Sequence, residues 1–248
     1  MPSIADQLII RVAKLRQNDK VSIDSVQYLP KLDLREPEEN SPQAPIRIIV
    51  VDDEASVLDV LGKLLRAKGY RAECFSNAVD ALASIKPTDQ GCVITDLEMP
   101  GLSGIGLQLR LKELGSCLSL IVITAHADVP RTIEIMSGGA TTLLEKPFKA
   151  DELVRHINRA IVASRQSAAR RQRIASASLR LERLNHEELE IMQLAARGFP
   201  NKAIAQQLVL SPRTVDRRRQ SALNKLEINS VADFAVLCEI ASWPLATV

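Results

Sequence analysis

Aromatic residues are scarce in this chain: one Trp, two Tyr and four Phe among 248 residues. Any core it forms must therefore be mostly aliphatic. Long apolar runs are missing too. None approaches the ~18 residues a membrane span needs, which argues against one. Leu8–Ile10 is too short an apolar stretch for the core of a secretory signal. The four cysteines, Cys74, Cys92, Cys117 and Cys238, show neither CxxC pairing nor metal-ligand spacing. They are expected to be buried, reduced thiols of a cytoplasmic protein. No internal repeat is visible.

What the chain does have is an alternation. Short runs rich in β-branched residues, Ile46–Val51, Tyr70–Phe75, Cys92–Thr95, Leu120–Ile123 and Thr141–Leu144, are separated by helix-length amphipathic stretches. The helical patterns are Ala55–Lys68, Ala78–Ile85, Ile105–Leu114, Pro130–Ser137 and Ala150–Ala163, and Pro130 suits the first position of its helix. This order predicts an α/β domain with a five-stranded parallel sheet and crossover helices. Ligands of such sheets bind at the carboxyl ends of the strands, beside a topological switch point. Asp52, Asp53, Asp96, Thr124 and Lys146 all stand at those ends.

The length allows two domains with separate cores, and the charge divides accordingly. From Arg47 to Lys146 there are ten basic and thirteen acidic residues, a net of −3. From Phe148 to the end there are sixteen and ten, a net of +6. A polyanion partner is thus expected for the second half only. The expected organisation is an N-terminal extension at 1–45, an α/β domain at 46–164, a basic helical linker at 165–181 and an all-helical domain at 182–248. In the extension, Ile4, Leu8, Val12 and Leu15 have helical spacing, while Glu36-Pro37-Glu38-Glu39-Asn40-Ser41-Pro42 reads as a poorly ordered linker. The stretch 165–184 is rich in Arg, Ala, Ser and Gln, so the preceding helix is expected to continue into it. That continuation is either a solvated connector or a dimerisation element.

The strand-end residues suit a divalent metal and a phosphoryl group. Magnesium takes oxygen ligands, commonly one or two carboxylates with waters and phosphate oxygens, and Asp52 and Asp53 can supply the carboxylates. Asp96 is either a further ligand or a nucleophile toward phosphorus. Lys146 offers a point charge to a phosphate oxygen and Thr124 a hydroxyl donor.

Four segments, Val51-Asp52-Asp53-Glu54, Asp96-Leu97-Glu98-Met99-Pro100-Gly101-Leu102-Ser103-Gly104, Ile123-Thr124-Ala125-His126 and Glu145-Lys146-Pro147-Phe148, together resemble the receiver domain of two-component response regulators. The resemblance implies a flavodoxin-like fold over roughly 46–164. It makes Asp96 the phosphoacceptor, Thr124 the switch hydroxyl and Lys146 the phosphate clamp. It implies magnesium (Mg2+) held by Asp52, Asp53, Asp96 and the main-chain carbonyl of Glu98, and a cis Lys146–Pro147 bond. Leu143 departs from the pattern. Receivers commonly carry Tyr or Phe there, three residues before the clamp lysine, so the form of the output switch differs. Glu98 and His126, two residues past Asp96 and Thr124, are either lifetime-setting residues over the phosphoryl group or plain exposed loop positions.

The last third reads as helices. Asn185 can cap the first, with Glu188 at the capping-box position and Gly198 past its end. Asn201 can cap a second over Lys202–Leu208. Ser211 can cap a third, with Pro212 at its first position, and a fourth spans about Val231–Ala241. In the third helix Val215, Ala222 or Leu223, and Leu226 face inward, leaving Arg213, Arg217, Arg218, Gln220, Asn224 and Lys225 outside. A helix after a short turn, carrying Arg, Gln and Asn outward, fits the major groove, where such side chains read base edges and basic ones contact phosphates.

The same region, with Gly198, Asn201-Lys202-Ala203-Ile204-Ala205, Leu210-Ser211-Pro212-Arg213-Thr214-Val215 and Lys225-Leu226, resembles the LuxR-type helix-turn-helix. Receiver, linker and LuxR-type domain in this order resemble the NarL/FixJ family, and the wording around Thr124 and Pro200-Asn201-Lys202 leans to its FixJ-like branch. The resemblance implies DNA contacts from Asn201, Lys202, Arg213, Thr214, Arg217, Arg218, Gln220, Ser221 and Lys225. Arg218 stands where the family often has His, and Ala222 where it often has a larger aliphatic.

The sequence thus reads as a cytoplasmic, non-enzymatic, phosphorylation-controlled regulator of transcription. Its implied partners are double-stranded DNA, a sensor histidine kinase and a second copy of itself on phosphorylation, with no membrane. Two alternatives stand beside it: a phosphoryl carrier or protein-interaction switch, and a DNA-binding regulator independent of phosphorylation.

Overall fold

A computed structural model describes residues 45–125 and 129–244. The expected N-terminal extension and His126 lie outside the described residues. The chain divides into two compact units, meeting between residues 170 and 171. Among the described residues no helix is long and apolar enough to cross a membrane.

The first unit holds strands β1 (Ile46–Val51), β2 (Ala72–Phe75), β3 (Gln90–Asp96), β4 (Ser119–Thr124) and β5 (Thr142–Glu145). All pair in parallel, in the order β2-β1-β3-β4-β5. Helices α1 (Ala55–Ala67), α2 (Ala78–Ser84), α3 (Gly104–Glu113), α4 (Val129–Gly138) and the start of α5 (Ala150–Leu181) complete it. Successive strand residues point to opposite faces, and the sequence fills both. Ile48, Val50, Cys92, Ile94, Ile121 and Ile123 join Leu61 and Leu65 of α1 and Leu153, Ile157 and Ala160 of α5 in one core. Ile49, Val51, Val93 and Val122 join Ala78 and Ala81 of α2, Leu107 and Leu111 of α3 and Ile135 of α4 in the other. Each fully buried side chain of this size contributes roughly 1.5–3 kcal/mol. The cores are aliphatic, as the lack of aromatics requires.

Cys92, Cys117 and Cys238 are buried, but Cys74 is exposed, which corrects the expectation of four buried thiols. Cys74 sits on β2, the edge of the sheet, where cover is incomplete. Gly91, the second residue of β3, has φ 134°, and a Cβ there would lie 1.9 Å from the Arg47 carbonyl oxygen, so only glycine fits. Its amide donates to Ser164 Oγ on α5 at 2.9 Å, and Ser164 is fully buried.

α5 continues past this point for 32 residues in all, as its helix-forming composition suggests. Its last turns place Ala177 and Leu181 inside the core of the second unit. That unit therefore begins within the stretch read as linker. It contains α6 (His186–Ala196), α7 (Asn201–Gln207), α8 (Pro212–Leu226) and α9 (Val231–Ile240). Ala222, Leu223 and Leu226 of α8 pack with Met192 of α6 and Phe234 and Leu237 of α9, while Val215 meets Ile191, Leu194 and Ile204.

The capping box at Asn185 and Glu188 forms as expected, and Ser211 Oγ accepts from the Thr214 amide at 3.1 Å. Asn201, however, does not cap α7. The N-cap is Pro200, and Asn201 is the first helical residue. Its amide instead donates to Asp216 Oδ1 and accepts from Arg219 Nη1, at 3.0 Å, both on α8. Bracing two helices uses both ends of the amide, whereas capping would use only its oxygen.

The α7–α8 turn bends at Val209, which has φ 54° and is 91 % exposed. A β-branched residue in the left-handed region is strained, and here no packing compensates. Val209→Asn is expected to raise the stability of the second unit by about 1 kcal/mol, because Asn tolerates this conformation. An unchanged or lower melting temperature would show that the turn carries no strain.

Candidate functional site

The carboxyl ends of β1, β3, β4 and β5 meet as the topology requires. Val51 pairs with Thr95, Asp96 with Ile123 and Thr124 with Glu145, so the residues just beyond these ends become neighbours. Asp96 is at the centre. Lys146 Nζ donates to its Oδ1 at 2.9 Å, and the Glu98 amide donates to its Oδ2 at 2.8 Å. The same ammonium lies 3.7 Å from Asp52 Oδ2. Asp52 is 3 % exposed, and its Oδ1 accepts from the Glu54 amide at 2.9 Å. Burial, the largest influence, pushes the Asp52 carboxyl above its ordinary value, with Asp96 and Asp53 adding to the push against the Glu54 amide and Lys146. Burial alone would lower the Lys146 ammonium, but the hydrogen bond and charge of Asp96, helped by Asp52 and Glu54, hold it above its ordinary value.

Asp53 is exposed at the rim, on a cleft of about 600 Å³ that it shares with Leu97, Glu98, Met99, Pro100, Ser103 and Ile105. Thr124 is buried, and its carbonyl accepts from the Lys146 amide at 2.8 Å. Leu143 is half-buried against the core between the sheet and α2, α3 and α4. The Lys146–Pro147 bond is cis. Gly104, which closes the segment Asp96–Gly104, is glycine for a steric reason. A Cβ there would lie 2.4 Å from the Asp96 carbonyl oxygen, so glycine lets α3 begin directly against the end of β3.

Three carboxylates and one ammonium leave a surplus of negative charge, which a hard divalent cation can offset. Among the described residues no three acidic, imidazole or thiol side chains gather closely enough to enclose a metal by themselves. The donor set fits magnesium all the same, since that ion takes few protein carboxylates and keeps waters.

The second cluster lies on α8, where spacing separates two stripes. Arg213, Arg217, Gln220 and Asn224 recur at intervals of four, three and four residues and are all exposed. Gln220 Nε2 donates to Asn224 Oδ1 at 3.1 Å. Arg218, Ser221 and Lys225, at intervals of three and four, face α6 instead. Arg218 Nη2 pairs with Glu187 at 2.7 Å, Ser221 Oγ donates to Glu188 Oε1 at 2.8 Å, and Lys225 Nζ to Glu188 Oε2 at 2.7 Å. Of the other expected contacts, Lys202 is exposed, Asn201 braces α8 as described, and the Thr214 hydroxyl bonds Ser211 Oγ at 2.8 Å. The resemblance implied DNA contacts from all nine. Sequence reading missed Glu187 altogether and took Glu188 only as a cap. The three-and-four spacing of 218, 221 and 225 was the available signal.

Comparison with known proteins agrees over both units. Residues 48–158 match the family described as response regulator receiver domain, and residues 182–238 match bacterial regulatory proteins, luxR family. The chain is 34 % identical over 190 residues to the transcriptional regulatory protein FixJ of Bradyrhizobium diazoefficiens, covering 77 % of this chain and 93 % of that one. It is 32 % identical over 192 residues to the response regulator protein TodT of Pseudomonas putida, covering 77 % and 85 %. A solved structure of the response regulator StyR is 34 % identical with a TM-score of 0.68, covering 79 % of this chain and 99 % of that one.

Glu188 makes one prediction that needs no functional premise. Its burial would raise its pKa, but hydrogen bonds from Lys225, the Asn185 amide and Ser221, with the Lys225 charge, hold it below the ordinary 4.5. A depressed folded value stabilises the fold above the unfolded pKa, and that contribution is lost as pH falls through the folded value. Glu188→Gln is therefore expected to cost the second unit about 2 kcal/mol at pH 7. The difference should close on acidification below pH ~4. Denaturant melts at pH 7 and pH 3 test this, and a difference that persists at low pH contradicts it.

Proposed function

The chain belongs to the NarL/FixJ family of two-component response regulators, with a receiver domain and a LuxR-type DNA-binding domain, and from that premise we propose that Asp96 is phosphorylated by a sensor histidine kinase to control promoter binding. The carrying observation is the placement of Asp96 between Lys146 Nζ at 2.9 Å and the Glu98 amide at 2.8 Å, beside the buried Asp52. A carboxylate so held is fixed in direction but left open to attack phosphorus.

In the proposed reaction an Asp96 oxygen forms the new bond to phosphorus as the kinase's phosphohistidine P–N bond breaks, and the imidazole leaves with the electron pair. Asp52, Asp53, Asp96 and the main-chain carbonyl of Glu98 would hold magnesium, which supplies charge neutralisation on the phosphoryl oxygens. Lys146 transfers its hydrogen bond from Asp96 Oδ1 to a phosphoryl oxygen, and Thr124 turns its hydroxyl toward another. With an aliphatic Leu143 behind them, the output is a change of packing rather than exposure of a phenol. Ile133 and Met136 of α4 are exposed apolar side chains, which supports pairing of two phosphorylated copies through the α4, β5 and α5 side. Such pairing places two copies of α8 at adjacent half-sites. On each, Arg213, Arg217 and Gln220 face the duplex, with Lys202 on its backbone.

Asp96→Asn is expected to abolish labelling by acetyl phosphate while leaving the fold intact, and labelling that survives would sink the assignment. Arg217→Ala should weaken DNA binding and flatten the dependence of log K on log salt by about 0.9. If binding is insensitive to salt altogether, α8 is not the contact surface.

A further inference from the structure

We infer that Glu187 withholds Arg218 from nucleic acid, so that the DNA-facing positive charge of α8 comes from the Arg213 and Arg217 stripe. This rests on the DNA-binding reading above. The two acids at the start of α6 have different duties. Glu188 is buried and serves the fold, since it completes the capping box with Asn185 and receives Ser221 and Lys225. Glu187 does neither. Its side chain is 57 % exposed, and Arg218 is its one partner among the described residues. Arg218 in turn is only 24 % exposed, with Nη2 on the Glu187 carboxylate and Nη1 enclosed without a hydrogen-bond partner. The arginine that continues the basic run of α8 is thus folded back onto α6, against an acid that remains at the surface.

A DNA phosphate approaching Arg218 therefore meets a pair of zero net charge. Binding is driven by counterion release in proportion to the net positive charge brought to the backbone, and a closed pair adds none. The exposed carboxylate also repels the backbone on that side of the helix. Arg213 and Arg217, which pair with no acid among the described residues, keep their full charge. Glu187 is in this sense a positioning residue. It touches no DNA, but fixes which arginines do, and so narrows the face of α8 on which a duplex can settle.

The test is a double-mutant cycle on the full chain, read as fluorescence anisotropy with a labelled random-sequence duplex between 50 and 200 mM KCl, each variant checked by thermal melting. Arg218→Ala alone leaves the Glu187 carboxylate uncompensated and should bind more weakly than wild type. Glu187→Gln should bind more tightly at low salt, with a slope steeper by about 0.9, so that its advantage shrinks about threefold across this range. The double variant should return to the wild-type slope. Two results would overturn the inference. In one, the double variant is flatter than wild type although its pair is equally neutral, which means Arg218 already contacts phosphate. In the other, the double variant keeps the steep slope, which means Glu187 acts independently of Arg218. Glu187→Ala takes the place of Glu187→Gln in the cycle if the latter fails to fold. Wild type that binds no duplex at any salt removes the DNA-binding reading and this inference with it. A bound wild type with a flattened double-variant slope removes the inference alone.

Discussion

A parallel sheet buried on both faces leaves polar side chains only one place to go, the ends of its strands. Ile48–Val51 and Cys92–Ile94 are at most 1 % exposed, so no charge could sit among them without losing its solvation. The strand order reverses between β1 and β3, and Asp52 and Asp96 stand at that point. Everything else about the site follows from holding several acids together there. Asp52 is driven up by its burial and by its acidic neighbours. Lys146, reaching in from the end of β5, is the group that makes the cluster tolerable. Its ammonium is half-shielded from water and lies within 3.7 Å of both Asp52 and Asp96. An acidic pocket held by this cation keeps a surplus of negative charge, which a hard divalent cation can offset.

This explains why the first unit was so legible in the sequence. β1 lies where the run of β-branched residues predicted it, and the other strands differ by one or two residues at one or both ends. An apolar strand followed at once by Asp or Lys is a pattern written in adjacent letters. Gly104 and the Ser164–Gly91 bond were not legible, because each depends on a close approach that only the folded chain makes. Cys74 failed for a related reason. Its run looked like the others, but only the assembled strand order makes β2 an edge.

The second unit was legible as helices and poorly legible as a surface. Caps at Asn185 and Ser211 are local, and both form. Asn201 has the chemistry of a cap, yet the better use of its amide lay across the turn on Asp216 and Arg219. The basic residues of α8 look equivalent in one dimension. A helical period of 3.6 residues separates them into a face toward α6 and a face toward solvent, and only the first meets acids. Composition counts charge without saying which of it is already spent.

The two pairs on that inner face are not worth the same. Lys225 meets a Glu188 whose side chain is 5 % exposed and also accepts from a backbone amide and a hydroxyl. Removing such an acid leaves donors stranded, which is the expensive way to break a pair. The Glu187–Arg218 pair is 57 % and 24 % exposed, and pairs of that kind contribute about 0.2–1 kcal/mol. A contact so weak is a poor explanation for holding the fold together. It matters more in a binding equilibrium, where 1 kcal/mol is about a fivefold change in affinity and where the sign of one local charge decides whether a phosphate approaches at all. The weak pair is therefore the one whose consequences reach beyond the fold.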